Sequence, residues 1–354
     1  MISIIPIFLP QESCPFNCLF CNQKTAVGEV RRLSGEDITR TVDSALETIS
    51  EGSIIQVGFY GGSFTFIPKE QQTEYLKAVE PFIKNKNISS VRISTRPDSL
   101  NPKIISFLKS YEVATVELGV EILDDDILAG IKRGHTVDDV IRAVDLLMSN
   151  DIKTGLQLMV GLPGEDEKRR RRSFDRTLSL MPNFLRIHPT VVLQGSRLEL
   201  MYREGKYKPL MLQEAVDICT DMVIAAETVG IPVIRIGLQS SCSLQEEGSI
   251  IAGPWHPSFG QIVRSEIYYR LLLKGLERLK MGKRPAEIVV ECANAETLKG
   301  QKNINIENLE RDYPGIKLKI KKDKTLGKNQ LTIIGIDTEP INIFTTDLIE
   351  DKRG

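Results

Sequence analysis

Cys14, Cys18 and Cys21 lie within the stretch ESCPFNCLFC, residues 12–21. Thiolates this close can hold a metal, and their number limits which one. A closed structural zinc site takes four ligands, usually as two close pairs. A distant fourth such as His188, Cys219 or Cys242 would have to complete it, and none has a paired spacing. A dithiol redox motif needs only two thiols. Three thiolates on a four-iron cluster leave one iron without a protein ligand, open to a substrate or cofactor. The remaining cysteines, Cys219, Cys242 and Cys292, are scattered and read as small buried hydrophobes.

The whole-chain totals leave room for this chemistry without naming it. The 354 residues are 41% apolar and 26% charged, with a net charge of −1. That is enough for a sizeable core, and it argues for neither a polyanion binder nor a membrane-surface protein, while leaving room for a local basic patch. The one charge block, Lys168–Arg172, reads as a solvated helix face, with attraction to phosphates as the competing reading. The N-terminal run has no basic residue before it and is too short for a secretory signal, so ISIIPIFLP reads as a buried strand. No stretch approaches the ~18 apolar residues that cross a bilayer. The expectation is a cytoplasmic protein with reduced thiols and no membrane partner.

The elements that must position the cysteines alternate in type. β-branched runs at 2–10, 54–62, 91–98, 115–121, 154–164 and 184–195 are separated by amphipathic runs such as 34–50 and 136–150. In the first helix Ile38, Val42, Ala45, Leu46 and Ile49 share a face; in the second, Val137, Val140, Ile141, Val144, Leu147 and Met148 do. Ser34 before Asp37 and Thr136 before Asp139 read as capping boxes, and Asn101-Pro102 as a cap with proline at the first helical position. Serial strand–helix units predict a parallel sheet, either doubly wound or a barrel. Polar and glycine residues recur at the strands' C-terminal ends, which favours an α/β fold of the partial (β/α)6 TIM-like barrel type. The expected organisation is a barrel over 1–240, a loop and helix at the barrel mouth over 241–284, and a small α+β domain over 285–354. The tail is read as a helix near 261–282, strands at 287–293, 316–323 and 330–337, and a polar helix near 303–313.

With the cysteine spacing in this setting, and Phe20 just before the last thiol, the chain resembles the radical S-adenosylmethionine (SAM) enzymes. The resemblance implies a partial barrel, a [4Fe-4S] cluster on Cys14, Cys18 and Cys21, and SAM chelated at the open iron. It further implies reductive cleavage of SAM to a 5′-deoxyadenosyl radical, fed by a flavodoxin- or ferredoxin-type electron donor. YGGSFTF (60–66) is similar to the family's glycine motif, placing Gly61 and Gly62 against SAM. Ser94 in ISTRPDSL occupies a matching SAM-contacting place. VELGVEILDDDIL and IKRGHTVDD resemble the catalytic subunit of Elongator and its bacterial and archaeal relatives. By comparison with anaerobic coproporphyrinogen oxidases, Glu121 and Arg133 match SAM-contacting positions there. Glu121 stands where Gln is usual and can accept but not donate. Gln157 matches a ribose contact, and Val160 and Gly161 would lie beside the adenine. His135 reads as a capping or packing residue. LRIHPTVVLQGSRLELMYREGKY continues the Elongator-like pattern, with His188 replacing a tyrosine near the substrate end.

The resemblance spans roughly residues 10–210. Beyond 240 no acetyltransferase pyrophosphate loop is found, so acetyl transfer is not expected. Gly253-Pro254-Trp255-His256-Pro257 is a constrained segment whose Trp255 and His256 are candidate substrate contacts, with a buried corner as the alternative reading. The functional expectation is a radical SAM oxidoreductase or transferase acting on tRNA or another RNA. The alternatives are a radical SAM oxidoreductase on a small metabolite and a non-catalytic iron–sulfur protein.

Overall fold

In the N-terminal half, the strands from Ile54–Tyr60 to Phe184–Pro189 turn mainly apolar residues to one side and place most of their polar residues on the other, whereas the first strand, Ile2–Phe8, is apolar on the face level with the polar side of Ile54–Tyr60. A computed structural model describes residues 2–349 except 10–13, 15, 23–24, 26–30, 51, 239–241, 281–285 and 336–337. Its described residues fall into two compact units, 1–211 with 238–255 and 212–237 with 256–354.

The first unit is built on β1 (Ile2–Phe8), β2 (Ile54–Tyr60), β3 (Ser90–Thr95), β4 (Val113–Glu121), β5 (Lys153–Val160) and β6 (Phe184–Pro189). They are parallel and lie side by side in chain order. The helices between them are α1 (Gly35–Leu46), α2 (Lys69–Lys84), α3 (Pro102–Lys109), α4 (Asp125–Gly130), α5 (Val137–Met148) and α6 (Glu167–Ser179). No pairing closes β1 onto β6 among the described residues, so this is the partial (β/α) barrel expected from the sequence. Val57, Phe59, Val91, Ile93, Val116, Leu118, Leu156, Leu158, Leu185 and Ile187 are buried on the helix side; the Phe59 ring stacks on Tyr75 of α2 at 6.1 Å. The alternate positions, Tyr60, Arg92, Ser94, Glu117, Gly119, Gln157, Arg186 and His188, face inward. The polar residues noted at the strands' C-terminal ends thus continue down the inner face.

The helix starts follow local chemistry. Ser34 and Thr136 each form both halves of a capping box, with Asp37 and Asp139, and the Asn101 side chain accepts from Ile104 N with Pro102 opening α3. The buried face of α5 is Val137, Val140, Ala143, Val144 and Leu147. Ile141 and Met148, expected on that face, are each 37% exposed because they sit at the stripe's flank, about 100° from its centre line.

In the second unit, helices Leu212–Thr228 and Phe259–Arg278 are joined by Arg270, which reaches Asp217, Asp221 and Glu266 at 3.0, 2.7 and 2.8 Å. Its four-stranded sheet runs in the order Ile316–Lys322, Ala286–Cys292, Gln330–Ile334, Ile341–Phe344, with only the first pair parallel. Gly275 gives this sheet access to the long helix: a Cβ there would overlap Ile333. The polar helix near 303–313 is Ile304–Asp312, and the strand Ile341–Phe344 has no counterpart in the sequence reading.

Candidate active site

The cysteine loop follows β1 and is tied to two other loops. Cys21 N donates to Cys18 O at 3.1 Å, closing a turn between the last two thiols. Leu19 N donates to Ile131 O at 3.0 Å, and Leu198 N to Leu19 O at 2.8 Å. Asn22 Nδ2 donates to Gln194 O at 2.7 Å. Phe20 packs against Val192, Leu198 and Tyr207. Phe16, between the first two cysteines, lies 4.0 Å from the Arg96 guanidinium and against Gly134, where φ is +79° and a Cβ would overlap its ring. Arg96 is held flat by a two-pronged pair with Asp98 at 2.9 and 3.1 Å.

Cys14, Cys18 and Cys21 are free thiols. Burial pushes the Cys21 thiol up to about 12, and the neighbouring charges of Cys18 and Cys14 add to the shift. Burial likewise raises Cys18, against the pull of Arg133. Thiols so placed ionise only when something positive joins them. Among the described residues no three His, Cys, Asp or Glu side chains converge on a point that could hold a single ion. A four-iron cluster makes a different demand, because each thiolate takes its own iron. Three mutually interacting free thiols on one anchored loop fit that donor set.

Arg133 connects the loop to the sheet. Its Nη1 donates to Cys18 Sγ at 3.6 Å, and its Nη2 donates to Gly119 O at 2.7 Å and pairs with Glu121 Oε1 at 3.2 Å. Glycine at 119 leaves room for this arrangement, since a Cβ would stand 2.5 Å from Arg133 Nη2 and displace the guanidinium. Glu121 ends β4 in the left-handed region, φ +67°, just past a register shift that turns its side chain into the pair. Burial raises the Glu121 carboxyl, while Arg133 and a hydrogen bond from Gln157 pull it back. Burial lowers Arg133, but the charges of Glu121 and Cys18 outweigh it and hold the guanidinium above its ordinary value. Both Nη atoms of Arg133 are thus engaged within the chain. Among the described residues Arg133 Nε and Glu121 Oε2 are buried without a partner, two atoms that can meet a polar ligand.

The other candidate positions surround this pair. Gly61 has φ +102°, and a Cβ there would stand 2.5 Å from Leu9 O, so the glycine pair lies directly against the end of β1. Gly62 is buried beside it. Ser94 is half-buried on the inner face, in register with Glu117, while Thr95 points outward into a hydroxyl group with Ser63, Thr65 and Ser99. Gly161, at φ +78°, follows β5 and accepts from Tyr207 Oη at 2.7 Å. His135 sits with Nε2 3.3 Å from Val120 O, the geometry of an Nε2–H donor. Burial, reinforced by Arg133 and Arg96, lowers its pKa to about 3. His188 is buried on β6, level with Met159. Trp255 packs with Val191, Leu193, Leu238, Leu244 and Ile250. His256, in the second unit, accepts from Ser258 N through Nδ1 at 3.0 Å. The structure therefore brings Cys18, Glu121, Arg133 and Gln157 into one network and sets Trp255, partly buried, against an apolar cluster.

Three arginines of the basic run are held by carboxylates. Asp124 pairs with both Arg169 and Arg172 at 3.0 Å, Arg169 also reaches Asp126 at 3.1 Å, and Arg170 pairs with Glu165 at 3.0 Å. The sequence reading passed over Phe16, Arg92 and Arg186. Phe16 was visible only as the aromatic between two cysteines; the arginines were visible only as charges at alternate strand positions.

Comparison with known proteins agrees with this geometry. The radical SAM superfamily profile matches residues 8–177, and the radical SAM C-terminal domain profile matches 182–269. The tRNA uridine(34) acetyltransferase of Methanocaldococcus jannaschii is 36% identical over 129 residues, which is 36% of this chain and 24% of that protein. The oxygen-independent coproporphyrinogen-III oxidase-like protein HemZ of Bacillus subtilis is 25% identical over 228 residues, 62% of this chain and 45% of that one. The fold matches a structure of Methanocaldococcus infernus Elp3 with an N-terminal deletion, with a TM-score of 0.57 and 21% identity over 79% of this chain and 64% of the other. The chain thus spans less than half the length of these two curated relatives. It belongs to the radical SAM superfamily, with a radical SAM domain followed by a radical SAM C-terminal domain, in a region homologous to that of the tRNA uridine(34) acetyltransferases.

Proposed function

We propose that this chain binds a [4Fe-4S] cluster through Cys14, Cys18 and Cys21 and uses SAM for hydrogen abstraction. When bound, the cluster and SAM supply reductive cleavage of the sulfonium to a 5′-deoxyadenosyl radical. The observation that carries the reading is Arg133, whose one guanidinium joins Cys18 of the thiol loop to Gly119 and Glu121 at the end of β4. A cation there offsets thiolate charge and fixes the loop over the inner face of the sheet. Gly61, Gly62, Ser94, Gln157 and Gly161 at neighbouring strand ends, with Phe20 packed behind the loop, are the proposed SAM contacts. His188 is the proposed substrate-side residue, with Trp255 and His256 as further candidates. A flavodoxin- or ferredoxin-type protein would deliver the electron.

For the substrate, the named relatives point to tRNA, and RNA modification is the first reading. A small metabolite is the second, and a specific observation favours it: three arginines of the one basic run are engaged by Asp124, Asp126 and Glu165. The test is anaerobic incubation of reconstituted protein with dithionite and SAM. 5′-Deoxyadenosine should form, and Cys18→Ala should abolish it. A reconstituted, folded protein that forms none would leave only the non-catalytic alternative.

A further inference from the structure

The inner face of the first unit's sheet carries a charged layer that the thiol loop and the Glu121–Arg133 pair do not use. Glu117 Oε1 accepts from Arg92 Nη1 at 2.8 Å and from Tyr60 Oη at 3.0 Å, and Oε2 accepts from Arg186 Nη1 at 2.6 Å. Two guanidiniums therefore share one carboxylate, and Tyr60 spends its proton on that same carboxylate. Two other arginines of this unit each have a carboxylate of their own, Arg133 with Glu121 and Arg96 with Asp98. The layer is left with one excess positive charge, on side chains only 7% (Arg92) and 16% (Arg186) exposed.

The unpartnered atoms cluster here as well. Among the described residues, the donors Arg92 Nε, Arg186 Nε and the Thr115 hydroxyl are buried on this face without a hydrogen-bond partner; Gln56 Oε1, also without one, is an acceptor and takes no part in the argument. Buried donors are normally satisfied, by protein, water or ligand. Both guanidiniums are braced by rings, Arg92 5.3 Å from the Phe184 centroid and Arg186 5.6 Å from that of Tyr60. Gly155 makes room for Phe184, since a Cβ there would overlap the ring. Braced forks with a free edge suit a planar or tetrahedral oxyanion.

We propose that Arg92 and Arg186 seat an oxyanion of the substrate, a carboxylate or a phosphate monoester. The inference rests on the radical SAM reading and assigns that reaction a small acidic substrate. Ser94, Gly119 and His188 are the next inward positions along β3, β4 and β6, each about 7 Å further along its own strand than Arg92, Glu117 and Arg186. An oxyanion on the arginines would hold the rest of a small molecule toward those positions. An internucleotide phosphate of RNA stays outside when a base is extruded into a pocket, so this seat suits a terminal acid.

The test is thermal unfolding of the anaerobically reconstituted full chain without SAM, titrated separately with inorganic phosphate and with succinate, against chloride at equal ionic strength. Saturable stabilisation by phosphate assigns a phosphate monoester, and by succinate a carboxylate; either supports the seat. Arg186→Met should weaken the apparent affinity about tenfold or more. Glu117→Gln, which removes the competing carboxylate, should tighten it, a gain that a merely structural role would not give. If Arg186→Met does not fold, Arg186→Lys keeps the charge without the fork and should bind several-fold more weakly. The proposal is overturned if neither anion acts beyond chloride, or if the Arg186 variant titrates like the parent. 5′-Deoxyadenosine formation in the same preparation separates the two claims: its absence defeats the radical reading, whereas its presence without anion binding defeats this one.

Discussion

Gly134→Ala tests whether the Phe16 contact positions the cysteine loop. Gly134 has φ +79°, and a Cβ there would overlap the Phe16 ring, over which the Arg96 guanidinium lies at 4.0 Å. Gly230 supplies the control: its φ is +80°, and a Cβ would meet nothing within 4 Å. The left-handed backbone costs both variants about 1–2 kcal/mol. Overpacking against the ring adds about 1–3 kcal/mol at position 134 alone. Gly134→Ala should therefore lose about 2–5 kcal/mol against about 1–2 for Gly230→Ala, read from urea unfolding of the metal-free proteins. Part of the strain can be relieved by moving Phe16, and with it Cys14 and Cys18. Iron and sulfide retained after anaerobic reconstitution should fall in Gly134→Ala and stay at the parent level in Gly230→Ala. Equal destabilisation with equal iron loading would refute the argument, because the ring would then have moved without consequence for the thiols.

Two further outcomes follow from buried charge. His135 has a folded-state pKa near 3 against 6.5 when unfolded, because burial, Arg133 and Arg96 disfavour the imidazolium. Its contribution is present above pH 6.5 and is lost as pH falls toward 3, amounting to about 2 kcal/mol by pH 5. His135→Gln should lose that much less stability than the parent between pH 7.5 and pH 5 in urea titrations; parallel losses would contradict the assignment. Asp124 caps α4 by accepting from Ile127 N at 3.2 Å and pairs with Arg169 and Arg172. Asp124→Ala should cost about 2–3 kcal/mol and Asp124→Asn, which keeps the cap, about 1, and equal losses would show that the cap is unimportant.

The sequence disclosed whatever was encoded locally. Ser34, Asn101 and Thr136 declare helix starts because a cap depends on only the next three residues. The parallel sheet was readable because strand and helix patterns alternate in series, and the barrel because polar and glycine residues recur at the strands' C-terminal ends. The inner layer was not readable. Arg92, Glu117 and Arg186 lie up to 94 positions apart, and only the register among β3, β4 and β6 makes them neighbours. The role of Phe16 was hidden for the same reason, since Gly134 and Arg96 approach it from distant loops. Arg133 was legible as a candidate position, but not its bond to Cys18, which depends on where α4 ends. The strand Ile341–Phe344 escaped because four residues give too short a period-2 signal to separate from a loop.

The central claim is that three thiols hold a cluster whose open iron meets SAM. The most direct measurement is electron paramagnetic resonance of the anaerobically reconstituted, dithionite-reduced chain, with and without SAM. The account predicts a reduced [4Fe-4S] signal that changes when SAM is added and is lost when Cys14, Cys18 and Cys21 are replaced together by alanine. A signal indifferent to SAM, or one that survives the triple replacement, would contradict it.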